Sequence, residues 1–292
     1  LGDKHLSTSV KLKIAITKLD SLPTIPVIAQ KLLALPLDTE DGESKLLKLI
    51  GHDPLISAKI IGLANTSLFG TPVKVSSISD AAMRLGLTRV KSVAIGIATM
   101  STLAKKPEGR LKANDLWMHS MCIALAMRTI AKAMPAHVRP LDDHIFLAGL
   151  LHDIGYMALA FLDTKASDAL HGEFQVDANR PVLETEQALL GMTHCDIGAQ
   201  LGHHWDLPEE VIAVMRFHHT PDEEGAEEGQ PLVSMVNIAE KILPEFGINE
   251  PVEKEISEQE WLDLGIPPAK ADDIRSKIAE VTAQSKELAG VV

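Results

Sequence analysis

Aromatic side chains are scarce in this 292-residue sequence, where Phe, Trp and Tyr together make up 3% and tyrosine occurs once. The core must then be aliphatic, built from Leu, Ile, Val, Ala and Met, which favours helix packing over aromatic-rich β architectures. Cysteine is as rare. Cys122 and Cys195 are too few for a disulfide scaffold, which points to a reducing compartment. Positive charge is in the minority: 28 Lys and Arg stand against 40 Asp and Glu, a formal net charge of -12. Sequence-independent binding of DNA or RNA depends on Lys and Arg neutralising phosphates, and so does docking on an anionic membrane. Neither a nucleic-acid polymer nor a membrane is therefore expected as a partner, although a local cation cluster could still hold a small anion. No uninterrupted apolar run approaches ~18 residues and no secretory leader opens the chain, so a cytoplasmic location is expected.

What the sequence does have is helical periodicity almost throughout, with no convincing alternating strand. Residues 6–20 read as a short amphipathic helix, with Leu6, Val10, Ile14 and Ile16 among its apolar positions. Leu22-Pro23-Thr24-Ile25-Pro26 breaks it, and Pro26 is suited to the first position of the next helix. Asp53-Pro54 repeats the device, with Asp53 as N-cap and 55–61 following. Ser76 or Ser77 caps a helix that Gly86 stops, and 88–104 forms an almost wholly apolar, deeply buried helix. After a break at 105–109 comes a long helix over about 111–134. Pro135 and Pro140 end it and start the next, which carries 147–160. Pro181, Thr193, Pro208 and Pro231 mark further starts, 222–229 is a solvated acidic loop, and 253–288 holds two polar helices. The pattern predicts an all-α protein.

Histidines recur along these helices: His119, then His152-Asp153, then His194, then His218-His219. Imidazoles and carboxylates are the usual ligands of transition metals and the usual groups for activating water. Convergence of these helices would make a metal-phosphohydrolase pocket, working or vestigial. Each imidazole also has a plainer reading as a hydrogen-bonded core histidine, for example His194 between Ile197 and Leu201. Met118, Met121, Leu125, Met127 and Trp205 read as core, His203 and His204 as helix-end residues, and Asn65-Thr66-Ser67 as a polar run bonding backbone groups.

The segment Leu150-Leu151-His152-Asp153-Ile154-Gly155 resembles the signature of the HD superfamily of metal-dependent phosphohydrolases, with His119 on its own helix upstream. His194-Cys195-Asp196-Ile197-Gly198, Trp205-Asp206-Leu207-Pro208 and Phe217-His218-His219-Thr220-Pro221 follow in the order of the HDOD branch, the HD-related output domains of bacterial signalling proteins. In the first half, Ile50-Gly51-His52-Asp53-Pro54-Leu55, Leu63-Ala64-Asn65-Thr66-Ser67-Leu68-Phe69-Gly70 and Ser77-Ile78-Ser79-Asp80-Ala81-Ala82-Met83-Arg84-Leu85-Gly86-Leu87 are similar to HDOD hallmarks. The resemblance implies a two-lobed helical protein with an HD-domain-like C-terminal bundle. It divides the chain into an N-terminal lobe, 1–108, an HD-like lobe, 109–250, and a helical extension, 251–292. Candidate metal ligands are His119, His152, Asp153, His194, His218 and Glu240, with His152 and Asp153 the candidate catalytic pair and Fe, Mn, Mg or Zn the candidate cation.

Departures from the superfamily pattern set the functional expectation. Glu240 stands where the superfamily places an Asp, Tyr156 where catalytic cyclic-dinucleotide phosphodiesterases carry Lys, and Thr220-Pro221 where they carry Gly-Tyr-Pro. Phosphoryl transfer needs cations around the transferring group. Near the histidines the sequence offers Arg216 and Lys241, with Asp222, Glu223 and Glu224 of the wrong sign; Arg84, Arg89, Lys91 and Arg128 would have to fold in from afar. The expectation is a non-catalytic or weakly catalytic signal-transduction module that binds signalling proteins. A divalent-metal phosphohydrolase and a cyclic-dinucleotide sensor, binding a small nucleotide ligand, are the alternatives.

Overall fold

A computed structural model describes residues 22–69, 73–104, 109–177, 180–244, 246, 248 and 251–284. The helix expected over 6–20 lies outside the described residues, as does most of the expected break at 105–109. Every regular element among the described residues is helical.

The first half is built of α1 (Val27–Leu33), α2 (Glu40–Gly51), α3 (Pro54–Ala64), α4 (Ile78–Leu85) and α5 (Leu87–Leu103). Short polar side chains start three of them by satisfying N–H groups that have no partner inside a helix. Thr39 accepts from the Gly42 N–H, Asp53 from those of Leu55 and Ile56, and Ser77 from that of Asp80. Pro26 sits one place earlier than expected, as the cap residue of α1 and not its first helical residue. Gly86, at φ 88, is the single residue joining α4 to α5, a left-handed conformation that glycine adopts without steric cost. Asn65 closes the loop after α3 by donating to the Val75 carbonyl at 2.8 Å and accepting its N–H at 2.9 Å.

The second half continues through α6 (Ala113–Ala133), α7 (Asp142–Leu151), α8 (Ile154–Leu162), α9 (Thr164–Val176), α10 (Val182–Leu190), α11 (His194–His204), α12 (Glu209–Phe217) and α13 (Leu232–Ile242). The polar tail supplies α14 (Glu258–Asp263) and α15 (Ala271–Gln284). Two differences from the sequence expectation matter. The helix expected through 147–160 is interrupted at His152-Asp153, where Asp153 has φ -98 and ψ 12 and restarts the chain as α8. Helix α9 was not expected. Asp163 caps it by accepting from Lys165 and Ala166, and Ala166, Leu170 and Phe174 bury one side at i, i+4 and i+8.

One aliphatic core runs continuously from Leu22 to Ile278. α5 packs on α1, α3 and α4 and also on α7, so the two halves share it. α6 lies against α7, α13 and α15, while α8 packs on α11 and α11 on α12. Arg89 is buried between the rings of Phe69 and Phe146, 5.2 and 5.1 Å from their centroids. Trp205 is buried as expected, and its indole N–H donates to the Pro23 carbonyl at 2.8 Å, tying the start of the described chain to α11. By length and composition Asp142–Leu162 could cross a membrane, but most of it is buried inside this helical assembly.

Candidate metal centre

Four helix ends and two helix faces deliver the site. His119 lies in the first half of α6 and Glu240 near the end of α13, two helices that pack on each other. His152 caps the end of α7 and Asp153 begins α8; the break between those helices turns both side chains to one point. His194 opens α11, where the Thr193–Asp196 capping box fixes its position. His218 ends α12. All six predicted ligands are brought together. The His152, Asp153, His194 and His218 side chains are 0% exposed, Glu240 1% and His119 7%.

Asp153 divides the cluster into two. Its Oδ2 lies 3.3 Å from both His119 Nε2 and His152 Nε2, and Glu240 Oε1 completes that side 3.2 Å from His152 Nε2. Its Oδ1 lies 3.4 Å from both His194 Nε2 and His218 Nε2. Within each half the two Nε2 atoms nearly touch, at 3.1 Å for His119 and His152 and 3.2 Å for His194 and His218.

Hydrogen bonds on the far side of three of the rings turn their lone pairs toward the centre. His152 Nδ1 is 2.9 Å from the Gly149 carbonyl and His218 Nδ1 is 3.0 Å from that of Val214. A carbonyl only accepts, so both Nδ1 atoms carry hydrogen and both Nε2 lone pairs face the centre when the rings are neutral. His194 Nδ1 sits 2.8 and 2.9 Å from the two oxygens of Glu186, which also accepts the His194 backbone N–H at 2.9 Å. Lone pairs at 3.1–3.2 Å repel unless a proton or a metal ion lies among them.

The donor set suits metal ions. Nitrogen and oxygen ligands about 2.0–2.1 Å from a tetrahedral cation are about 3.3–3.4 Å apart from one another, and the contacts above fall between 3.1 and 3.4 Å apart from His119 to Glu240 at 4.0 Å. Both carboxylate oxygens of Asp153 and of Glu240, and His119 Nδ1, are buried without a hydrogen-bond partner. Orphaned buried carboxylates are costly, and metal coordination is one of the few ways to satisfy them. His119, His152, Asp153 and Glu240 would hold one cation, with His194, His218 and Asp153 around a second.

Without metal, protons must balance the charge. Burial alone would raise the Asp153 carboxyl, but the facing His152 and the neighbouring imidazoles of His119 and His194 hold it well below the usual range. Burial is likewise overcome at Glu240, which His219, His218 and His152 bring down to about 2. His152 is pushed the other way, to about 9, because Asp153 and Glu240 outweigh its desolvation. His194 and His218 are raised despite burial, chiefly by Cys195, with Glu186 and Glu240 contributing respectively. Burial would raise the Cys195 thiol, yet His194 and His218 lower it to about 6.

Four neighbours were not among the predicted ligands, one of them His219, whose Nδ1 lies 3.7 Å from Glu240 Oε2. Glu186 orients His194. Tyr156, noted in sequence only as a departure, stacks on the His194 ring at 4.1 Å with the planes 16° apart. Cys195 places its sulfur 3.5 Å from His194 Nε2. The distant cations do not fold in. Arg84 donates to the Ala64 and Val73 carbonyls, Lys91 to that of Leu35, and Arg128 pairs with Asp142 at 3.5 Å.

An all-helical fold with histidines and an aspartate converging on one buried point defines an HD-type protein. The HDOD domain matches residues 22–221, and the chain belongs to the HDOD family. A Treponema pallidum (strain Nichols) protein, described only as uncharacterized, is 29% identical over 232 residues, covering 78% of this chain and 44% of its own. The chain thus spans less than half of that relative's length. Among solved structures, a Marinobacter aquaeolei VT8 protein provisionally named for signal transduction superposes with a TM-score of 0.78 at 24% identity, covering 99% of this chain and 66% of that one. A Shewanella amazonensis SB2B protein provisionally named a phosphohydrolase gives 0.72 at 23% identity over 95% and 97% of the two chains. An HDOD domain protein of unknown function from Geobacter sulfurreducens gives 0.67 at 22% over 96% and 98%. At these identities the structures share the fold.

Proposed function

We propose that this protein is a metal-holding signal-transduction module, whose buried centre fixes the C-terminal helices and whose output is contact with signalling proteins instead of turnover. The carrying observation is a complete ligand set that is almost wholly buried, from 0% exposure at Asp153 to 7% at His119. Cations bound there would supply the positive charge that Asp153 and Glu240 require, and a two-cation site would also be able to clamp the attacking and leaving oxygens of a phosphate ester. For that chemistry a substrate must reach the ligands. A cleft of about 1030 Å³ is lined by His219 and Asn237 but by none of the six candidate ligands. Its basic residues are engaged: Lys241 with Glu260 at 2.6 Å, Lys254 with the Glu240 and Leu243 carbonyls at 3.0 and 2.8 Å, and Arg180 with the Glu184 carbonyl at 3.5 Å. For partner contact, exposed apolar side chains lie on the packed pair α3 and α4 and the loop between them: Leu55 at 51%, Val73 at 71% and Met83 at 79%. The provisional name of the Marinobacter relative agrees with this reading.

A second reading, phosphoester hydrolysis, is favoured by one observation. On the Oδ1 side of Asp153 two imidazoles and one carboxylate oxygen make a three-ligand set, the arrangement that leaves catalytic metals an open position. Here Asp153 would position water, and the histidines and Glu240 would hold the ions. Metal analysis of purified protein combined with an assay panel of phosphomonoesters, phosphodiesters and cyclic dinucleotides separates the two. Bound transition metal without turnover is expected. Robust hydrolysis that His152→Ala abolishes would replace the first reading with the second.

A further inference from the structure

We infer that Cys195 is a thiolate ligand on the His194–His218 side of the centre, completing a nitrogen, oxygen and sulfur donor set that prefers a softer cation such as Zn2+ to Mg2+. The inference rests on the metal-centre reading above and deepens it, because a fourth protein ligand fills the position that hydrolysis would need open.

Geometry is the main argument. With metal–sulfur and metal–nitrogen bonds of about 2.3 and 2.0–2.1 Å, a tetrahedral cation places sulfur and nitrogen about 3.5–3.6 Å apart. Cys195 Sγ lies 3.5 Å from His194 Nε2, the nitrogen already aimed at Asp153. Donor atoms of His194, Cys195, His218 and His219 all fall within 4.8 Å of one another. The orphaned Asp153 Oδ1 faces the same two imidazoles, an independent sign that something positive belongs there.

Local structure favours the thiolate. Cys195 is the second residue of the eleven-residue helix α11, where backbone N–H groups and the helix dipole stabilise negative charge. On binding, the thiol releases its proton to solvent and the sulfur donates to the cation, with no oxidation. The other half of the centre has no sulfur. His119, His152, Asp153 and Glu240 give two nitrogens and two oxygens, so the halves differ in the cations they prefer.

Cobalt substitution tests this without any activity measurement. Protein stripped of metal and reloaded with Co2+ should show a near-ultraviolet thiolate-to-cobalt band together with visible ligand-field bands. Cys195→Ser should remove the near-ultraviolet band, keep visible bands and weaken Zn2+ binding by more than about tenfold, the lower bound for losing even an outer-shell partner. Cys122→Ser, on α6, should change neither. Cys195→Ala, checked for folding by circular dichroism, guards against a serine that perturbs packing. A near-ultraviolet band that persists in both folded Cys195 variants, or visible bands with no near-ultraviolet band in the unaltered protein, overturns the inference and leaves the metal centre standing. No uptake of cobalt at all overturns both.

Discussion

At the scale of residues, the centre is defined by where hydrogens are, more than by which residues are present. The Gly149 and Val214 carbonyls and the Glu186 carboxylate take up Nδ1 of three imidazoles and leave Nε2 for a cation. Glu186 is the most testable of these partners, since it touches no candidate cation. Glu186→Gln keeps the shape and removes the charge, so metal affinity should fall about 10–100-fold, read by competition with a chelator; unchanged affinity would make Glu186 a packing residue only. The motif residues were legible in sequence because adjacent His and Asp in an apolar run, with histidines before and after, form a recognisable order. Glu186 was not. It lies eight residues before His194 on an ordinary amphipathic helix, and only the packing of α10 against the start of α11 shows what it faces. The place of Cys195 beside His194 Nε2 was hidden for the same reason.

At the scale of elements, two junctions hold the site in place. α8 crosses α11 with Gly155 against the His194 carbonyl, so close that a Cβ at Gly155 would collide with backbone. Gly155→Ala should therefore destabilise the protein by about 1–3 kcal/mol and displace His194. Denaturant unfolding would measure the first effect and metal content the second. A variant as stable and as metal-rich as the parent would show that the approach is not tight. The second junction docks the tail. Ser257 and Glu260 form a capping box on α14, and Glu260 also binds Lys241 on α13 at 2.6 Å. Burial would raise the Glu260 carboxyl, but Lys241 and Ser257 hold it below its ordinary 4.5. The contact is thus at full strength above that value and fades as pH falls below it. Glu260→Gln should cost about 1 kcal/mol near neutrality, with the difference shrinking in acid; a pH-independent difference would contradict the ion-pair account. Most helices were legible from caps and periodicity, including Asp53, Ser77 and Thr193 as caps. The break at His152-Asp153 was hidden because the hydrophobic pattern runs straight through it, and Asp153 turns there to serve the centre.

At the scale of the whole molecule, the candidate centre lies inside a core that both halves of the chain share. Any cation that binds the folded chain and not the unfolded one adds stability by mass action, about 2.7 kcal/mol at a hundredfold excess over its Kd. Chelation should accordingly lower the melting temperature and Zn2+ or Mn2+ restore it, while Asp153→Asn should respond to neither. Whether two cations flank Asp153 is tested most directly by anomalous X-ray scattering from crystals of metal-loaded protein. Two peaks are predicted, flanking Asp153: one among His119, His152 and Glu240, the other beside His194 and His218, each with ligand distances of about 2.0–2.3 Å. No anomalous peak within reach of Asp153 in loaded crystals would contradict the account.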